Sequence, residues 1–255
     1  MAQLELISAH MRALREGDDA TKTEAARALR NLASGVPDPW RANRVAIANA
    51  GGIAPLVELL RDGSAEAKAQ AAEALAVLMF NVDNRALIAE AGGIPLLVEL
   101  LRDGTVGAKW SAAFALGKLA YDNAEGSGLA QELGTFVSNE ANQDLIAEAG
   151  AIPLLVQLLR DDGNWEAQGA ARGTLLLLVH DNDANAVAVA VAIGLEAIVE
   201  LARRGRVNAG WTSIVENAGV PAKRKAALVV AQLIEATAPR TRVSRYIKAA
   251  IVSFL

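Results

Sequence analysis

The residues that could carry catalytic chemistry are few in this sequence, and their spacing matches no catalytic set. There is no cysteine, and the two histidines are His10 and His180. Neither histidine has a second histidine or a glutamate at metal-ligand spacing, so no metal site is expected. Two histidines so far apart do not indicate a Ser–His–Asp arrangement either. We therefore expect no enzymatic activity, no cofactor and no metal.

Three clusters resemble sites but are better explained as turns. Residues 180–183 (His-Asp-Asn-Asp) could ligate a metal, yet they lie where one predicted helix ends and the next begins. Asp161 and Asp162 follow Arg160 in a turn that recurs elsewhere in the chain as Arg-Asp-Gly. The Gly-Ser-Gly run at 126–128 lacks the lysine and the strand–helix context of a phosphate-binding loop.

The composition predicts a helical protein with a substantial core. The chain has 255 residues, of which 53% are hydrophobic and 21% charged, and alanine and leucine dominate. Charged residues interrupt the first helix candidate, so no secretory signal is predicted. The longest apolar stretch, 186–195, is too short to span a bilayer. We expect a cytoplasmic protein, with the nucleus as the alternative location.

Charge is distributed unevenly along the chain. Residues 1–202 carry a net charge of −12 and residues 203–255 carry +8, within a total of −4. An acidic body with a basic end predicts a positive patch that meets an acidic partner or surface.

An arginine in a turn marks an internal repeat. Its positions differ by 46, 41, 58 and 43 residues, so the base period is 41–43, with additional residues in two steps. A period of this size indicates stacked helices. The marker residues are Arg15, Arg61, Arg102, Arg160 and Arg203.

Each unit is predicted to contain three helices. The first begins near an asparagine suited to an N-cap and ends at a glycine pair; the second begins near a proline. The third is alanine-rich and has apolar residues at helical spacing. The asparagines are Asn43, Asn84 and Asn142, the prolines are Pro55, Pro95 and Pro153, and the third helices are 65–80, 108–121, 167–179 and 222–236.

This unit resembles the armadillo repeat family, through the sequence Ala-Gly-Gly-Ile-Pro-Leu-Leu-Val at 91–98. HEAT repeats, the nearest alternative, have two helices and would not need this turn. The resemblance implies an all-α fold: a right-handed α-solenoid of three-helix repeats in one domain, without β-sheet. The repeats are expected at about 3–34, 43–80, 84–121, 142–180 and 185–238, the first without its short helix.

Two insertions and a tail depart from the repeat. Residues 122–141, in which 129–137 could form a short helix, and residues 205–220 are predicted surface loops, which either are tolerated or carry function. The tail at 240–255 is predicted to be an amphipathic helix. It is a solenoid cap, the start of a sixth repeat or a basic helix for a membrane surface.

The resemblance also implies a concave groove lined by the third helices. In family members that bind extended peptides, a Trp-x-x-x-Asn pattern on those helices forms a ladder. Only Asn31 keeps the asparagine and only Phe114 is aromatic, so this sequence departs from the ladder. The asparagine positions are Asn31, Val77, Lys118, Leu177 and Gln232, and the tryptophan positions are Arg27, Glu73, Phe114, Gly173 and Leu228.

One stretch of the predicted groove has an unusual composition. Trp110, Phe114 and Lys118 recur every four residues and share a helix face. Gly169 and Gly173 occupy the next repeat, where each glycine costs a helix about 1 kcal/mol relative to alanine. An apolar slot flanked by Lys118 and Glu73 is one interpretation; burial of the two aromatic residues between repeats is the other.

We therefore expect a non-enzymatic scaffold that binds a protein or peptide in the groove and has no small-molecule substrate. The alternative is tethering through the basic end to an acidic partner or membrane surface. Overall acidity disfavours nucleic acid. The candidate groove residues are Arg27, Asn31, Glu73, Val77, Trp110, Phe114, Lys118, Gly169, Gly173 and Gln232, and the basic patch is Arg242, Arg245 and Lys248.

Overall fold

The computed structural model describes residues 2–34, 39–122, 137–159, 164–182, 184–189 and 191–193. The described part is almost entirely helical, as the sequence predicts. Its helices are α1 (Ala2–Glu16), α2 (Asp19–Ala33), α3 (Pro39–Asn49), α4 (Ile53–Asp62), α5 (Ala65–Leu78), α6 (Val82–Glu90), α7 (Gly93–Asp103), α8 (Val106–Leu119), α9 (Glu140–Glu148), α10 (Ala151–Leu158) and α11 (Trp165–Val179).

The helices form a stack of similar units. Helices α1 and α2 make a two-helix first unit, and α3–α5, α6–α8 and α9–α11 make three units of three helices. The last helix of each unit packs against its counterpart in the next, so α2, α5, α8 and α11 form a continuous row. No described helix is both long and apolar enough to cross a membrane.

Left-handed glycines make the turn between the first and second helices of the three-helix units. Gly51, Gly92 and Gly150 have φ angles of 75°, 80° and 84°, a conformation that side chains with a Cβ rarely adopt. The second helices begin two residues before the predicted prolines, because the backbone becomes helical directly after the glycine turn. Each proline then lies in the first helical turn, where its missing N–H breaks no helical hydrogen bond.

A polar cap precedes each of the four described helices in the row α2, α5, α8 and α11. Side-chain oxygens of Asp18, Ser64, Thr105 and Asn164 each accept a hydrogen bond from the backbone N–H three residues ahead. Because of these caps, α8 and α11 begin two residues before their predicted starts, at Val106 and Trp165.

Small residues let the third helices approach closely. Alanines such as Ala71 and Ala112 are fully buried, together with Leu75 and Leu116. Between α8 and α11 the spacing is tighter still, since a Cβ built on Gly117 would lie 2.7 Å from the Thr174 hydroxyl oxygen. That hydroxyl donates to the Ala113 carbonyl at 2.7 Å and so joins the two helices.

The asparagines predicted as N-caps have a different role. Asn81 and Asn139 are the caps, three residues earlier, whereas Asn84 and Asn142 are buried inside α6 and α9. The Asn142 amide donates to the carbonyl of Leu119 at the end of α8, at 3.0 Å. The N-cap prediction was wrong because these side chains satisfy carbonyls that the preceding third helix leaves without a helical partner.

Replacing Asn142 by alanine is expected to destabilise the fold by about 2–3 kcal/mol, because it leaves a buried carbonyl without its donor. Asn139→Ala is the matched comparison and should cost about 1 kcal/mol, the usual value of an N-cap. Urea unfolding followed by circular dichroism measures both. Equal losses of stability in the two variants would contradict the role of the Asn142 side chain in joining α9 to the end of α8.

A short β-ribbon departs from the prediction that the fold has no β-sheet. Strands β1 (Tyr121–Asp122) and β2 (Val137–Ser138) pair antiparallel, with Tyr121 opposite Ser138. Val137, expected in a short helix, is therefore in a strand. The ribbon brings the two ends of the insertion together directly after α8. The Tyr121 carbonyl also accepts a hydrogen bond from the buried Arg85 of α6, so the first strand is held against the helical stack.

Candidate functional site

A cavity of about 520 Å³ opens between α8 and α11, and we call it the slot. It lies between two neighbouring third helices, in the row that the resemblance places along the concave surface. Most of its lining is apolar. The α8 side contains Trp110, Phe114 and Lys118, and the α11 side contains Trp165, Gly169 and Gly173.

The α8 wall is a short aromatic stack. The rings of Trp110 and Phe114 lie 5.7 Å apart with an interplanar angle of 12°. Phe80, after α5, lies 6.3 Å from Phe114 and tilts against it by 47°. Trp110 and Phe114 are half-buried and pack on the core while lining the slot. Both rings therefore line the slot and also pack on the core, the two roles that the sequence left as alternatives.

The α11 wall is open because its glycines face empty space. A Cβ built on Gly169 or Gly173 meets no atom within 4 Å. No described helix therefore requires a glycine at either position, in contrast to Gly117. Trp165, four residues before Gly169, is 76% exposed, an unusual state for the largest apolar side chain. The wall is thus a flat helix surface with one projecting indole.

Lys118 is held at one end of the slot by aromatic rings. Its Nζ lies 4.2 Å from the ring centroid of Phe80, 5.2 Å from that of Phe114 and 5.5 Å from that of Tyr121. It also donates a hydrogen bond to the Tyr121 hydroxyl oxygen at 2.8 Å. Cation–π attraction and this hydrogen bond fix the ammonium group in place.

Ion pairs connect the third helices of the two preceding units. Arg27 pairs with Glu66 at 2.9 Å, and Arg30 pairs with Glu73, so salt bridges connect α2 to α5. The expectation that Glu73 flanks the slot is therefore wrong: its carboxylate is turned toward the preceding repeat by Arg30. The exposed Arg27–Glu66 pair contributes little stability, but together with the part-buried Arg30–Glu73 pair it covers this part of the groove surface with charge.

Of the six remaining candidate residues of the groove and the basic patch, the structure describes two. Asn31 accepts a hydrogen bond from Arg30 at 3.0 Å, and Val77 packs on the core, so neither lines the slot. The other four candidates lie outside the described residues: Gln232, Arg242, Arg245 and Lys248.

The run 180–183 has turn and cap geometry in its described residues. His180 is the C-cap of α11, and Asp181 has a left-handed φ of 55°. The Asn182 side chain accepts from the backbone N–H of Asn185 at 3.0 Å, as an N-cap does for the helical residues 184–189. The turn interpretation is confirmed for residues 180–182.

Sequence reasoning missed three aromatic residues around the slot: Trp165, Phe80 and Tyr121. Trp165 could have been found, because it lies four and eight residues before the two glycines and so shares their helix face. Tyr121 could have been found as well, because it lies only three residues after Lys118. Phe80 lies after the end of α5, and only the stacking of the repeats brings it to Lys118.

Comparisons with known proteins agree with this architecture. Residues 41–80 match the model of the Armadillo/beta-catenin-like repeat. An engineered protein solved by the Northeast Structural Genomics Consortium is 25% identical, with a TM-score of 0.64 over 100% of this chain and 98% of that one. The chain has the fold of an armadillo-repeat solenoid.

Two designed proteins share the armadillo fold. The designed armadillo repeat protein YIII(Dq)4CqI is 22% identical, with a TM-score of 0.65 over 97% of this chain and 99% of that one. A second, in complex with the peptide (KR)4, is 20% identical, with a TM-score of 0.62 over 100% and 99% of the two chains. A search of curated proteins finds no significant match to the sequence.

Proposed function

We propose that this armadillo solenoid is a non-enzymatic scaffold that binds a protein or peptide segment along its third helices. The slot between α8 and α11 receives an aromatic or large aliphatic side chain of that segment. A cytoplasmic location belongs to the same proposal. A designed armadillo neighbour was solved with a bound peptide, which supports a peptide or protein as the class of partner.

The open glycine wall carries this proposal. Two glycines within α11 disfavour the helix by about 2 kcal/mol in total relative to alanine. No packing in the described residues requires them, since a Cβ at either position would meet nothing. Room for a guest side chain explains why the positions lack one. The exposed Trp165 beside them provides apolar surface that a guest would cover.

The size and lining of the slot suit such a guest. Its volume of about 520 Å³ exceeds that of a single side chain, so an anchor and part of its backbone fit. Trp110 and Phe114 form a firm wall because each ring is fixed by the other and by the core. A preorganised aromatic wall loses little side-chain entropy when a partner binds, so more of the contact energy remains as affinity.

Filling the slot is expected to weaken binding without destabilising the fold. Gly173→Leu places a side chain in the open space, and we expect affinity for a selected peptide to fall at least about tenfold, or about 1.4 kcal/mol. Stability should rise slightly, because leucine favours helix over glycine. The probe is a peptide selected from a random phage-displayed library on the wild-type protein, measured by fluorescence anisotropy and thermal melting.

Gly107→Leu is the matched control. Gly107 also lies on a third helix with empty space around its built Cβ, yet it does not line the slot. This variant should bind the selected peptide with wild-type affinity. Equal binding by both leucine variants would overturn the slot as the binding site, as would a library that yields no binder.

A further inference from the structure

We propose that Lys118 makes the slot selective for segments in which a carboxylate neighbours the apolar anchor. This inference rests on the proposed function and adds to it the chemistry of the partner. Lys118 is the cation in the described lining of the slot, and three aromatic rings and one hydroxyl fix the position of its ammonium group.

The Lys118 ammonium has donors to spare. An ammonium group carries three N–H donors, and in the described part of the chain only the Tyr121 hydroxyl accepts from it. The rings interact with its positive charge but accept no conventional hydrogen bond. A ligand oxygen that enters the slot can therefore take a second donor without displacing an existing contact.

No carboxylate of the described residues forms an ion pair with Lys118, whereas the arginines of the neighbouring groove are paired. Arg27 has Glu66 and Glu24 as partners, and Arg30 has Glu73. The positive charge at the slot is thus compensated only by ring quadrupoles and a neutral hydroxyl. A partner carboxylate would neutralise this charge and accept a charge-assisted hydrogen bond from Lys118. The nearby apolar walls strengthen that attraction by excluding water.

The opposite end of the slot carries the opposite charge. Glu166 lines the slot near the start of α11, one residue after Trp165, whereas Thr174 of the same helix lies against Gly117, the residue before Lys118. Eight residues of helix separate Glu166 from Thr174, a rise of about 12 Å. A carboxylate is attracted at the Lys118 end and repelled at the Glu166 end, so the slot favours one orientation of an acidic segment.

Rigid placement makes the preference sharp. A free lysine side chain loses rotamer freedom when it binds a carboxylate, which offsets much of the gain at exposed sites. Lys118 is already ordered by its rings and hydroxyl, so less freedom is left to lose. Its half-buried position also shields the pair from salt more than a fully exposed pair would be.

The test uses synthetic peptides that share one tryptophan anchor in a glycine–serine background. They carry aspartate, asparagine or lysine at the positions flanking the anchor, and fluorescence anisotropy gives their affinities at low and high salt. We expect the aspartate peptide to bind at least about tenfold tighter than the asparagine peptide and the lysine peptide to bind weakest. The difference should shrink as salt rises.

Three substitutions test whether Lys118 causes the preference for the aspartate peptide. Lys118→Met keeps an unbranched chain in the cage and should abolish the preference for aspartate, while Lys118→Arg should retain it. Lys109→Met makes the same substitution on α8 at a lysine outside the slot and should behave as wild type. Thermal melting of each variant separates loss of selectivity from loss of fold.

The outcomes distinguish the two proposals. Equal binding of the aspartate and asparagine peptides to wild type would overturn the role of Lys118 and leave the scaffold function standing. An aspartate preference that survives in Lys118→Met would overturn it as well. Failure of every tryptophan peptide to bind would overturn the anchor slot itself, and with it this inference.

Discussion

Gly117→Val is expected to destabilise the protein by about 3 kcal/mol, because it forces apart two helices in contact. A Cβ at this position would already lie 2.7 Å from the Thr174 hydroxyl oxygen, and valine adds two methyl groups. The same hydroxyl donates to the Ala113 carbonyl, so a shift of α11 also loses the bond between the helices. Urea unfolding followed by circular dichroism measures the change.

A double substitution tests whether that single contact is the cause. Gly117→Ala alone should be destabilising despite the higher helix propensity of alanine. Combining it with Thr174→Ala removes the clashing hydroxyl, after which the nearest remaining atoms are at 3.6 Å, an ordinary contact distance. The double variant should therefore be more stable than the sum of the two single changes predicts. Additive losses would show that the spacing of α8 and α11 is set elsewhere.

The slot depends on this spacing. Gly117 and Thr174 line its floor, and the aromatic wall and the glycine wall rise on either side. Gly117 and Gly173 thus affect stability in opposite directions, although both are glycines within third helices. Gly117 allows α8 and α11 to come into contact, whereas Gly173 leaves open space beside α11 where the two helices separate.

The sequence predicted the parts of the fold that local chemistry determines. A left-handed glycine followed by an apolar helix start occurs at Gly92 and Gly150, and glycine favours a turn at such a position. Alanine-rich third helices follow from helix propensity and spacing in the same way. These features need no knowledge of the neighbouring repeat.

Contacts between repeats could not be predicted to the same degree. Glu73 lies at a groove position by alignment, yet Arg30, 43 residues earlier, pairs with its carboxylate. Lys118 lies at another, yet Phe80, 38 residues earlier, contacts its ammonium. Each contact depends on the offset between stacked helices, to which a single sequence gives no direct access. The Asn-x-x-Asn pattern, as in Asn139 and Asn142, is by contrast a local signal: the first asparagine caps the helix and the second joins it to the preceding third helix.

Phe114→Ala is expected to weaken binding of a selected peptide at least about tenfold, since exposed aromatic residues in pockets concentrate about 2 kcal/mol or more of binding energy each. The structure also gives Phe114 a share of the core, where it stacks on Trp110 and contacts buried residues. We therefore expect a stability loss of about 2 kcal/mol, below the 3–5 kcal/mol typical of fully buried phenylalanine.

Leu116→Ala separates the two effects. Leu116 lies two residues further along α8 and is fully buried, so its loss should cost about 2–5 kcal/mol of stability. It does not line the slot, so the folded variant should bind the selected peptide as wild type does. Dissociation constants are compared well below the melting temperature of each variant, where both are folded. If Leu116→Ala weakens binding as much as Phe114→Ala does, the aromatic wall acts only through stability and Phe114 belongs to the core alone.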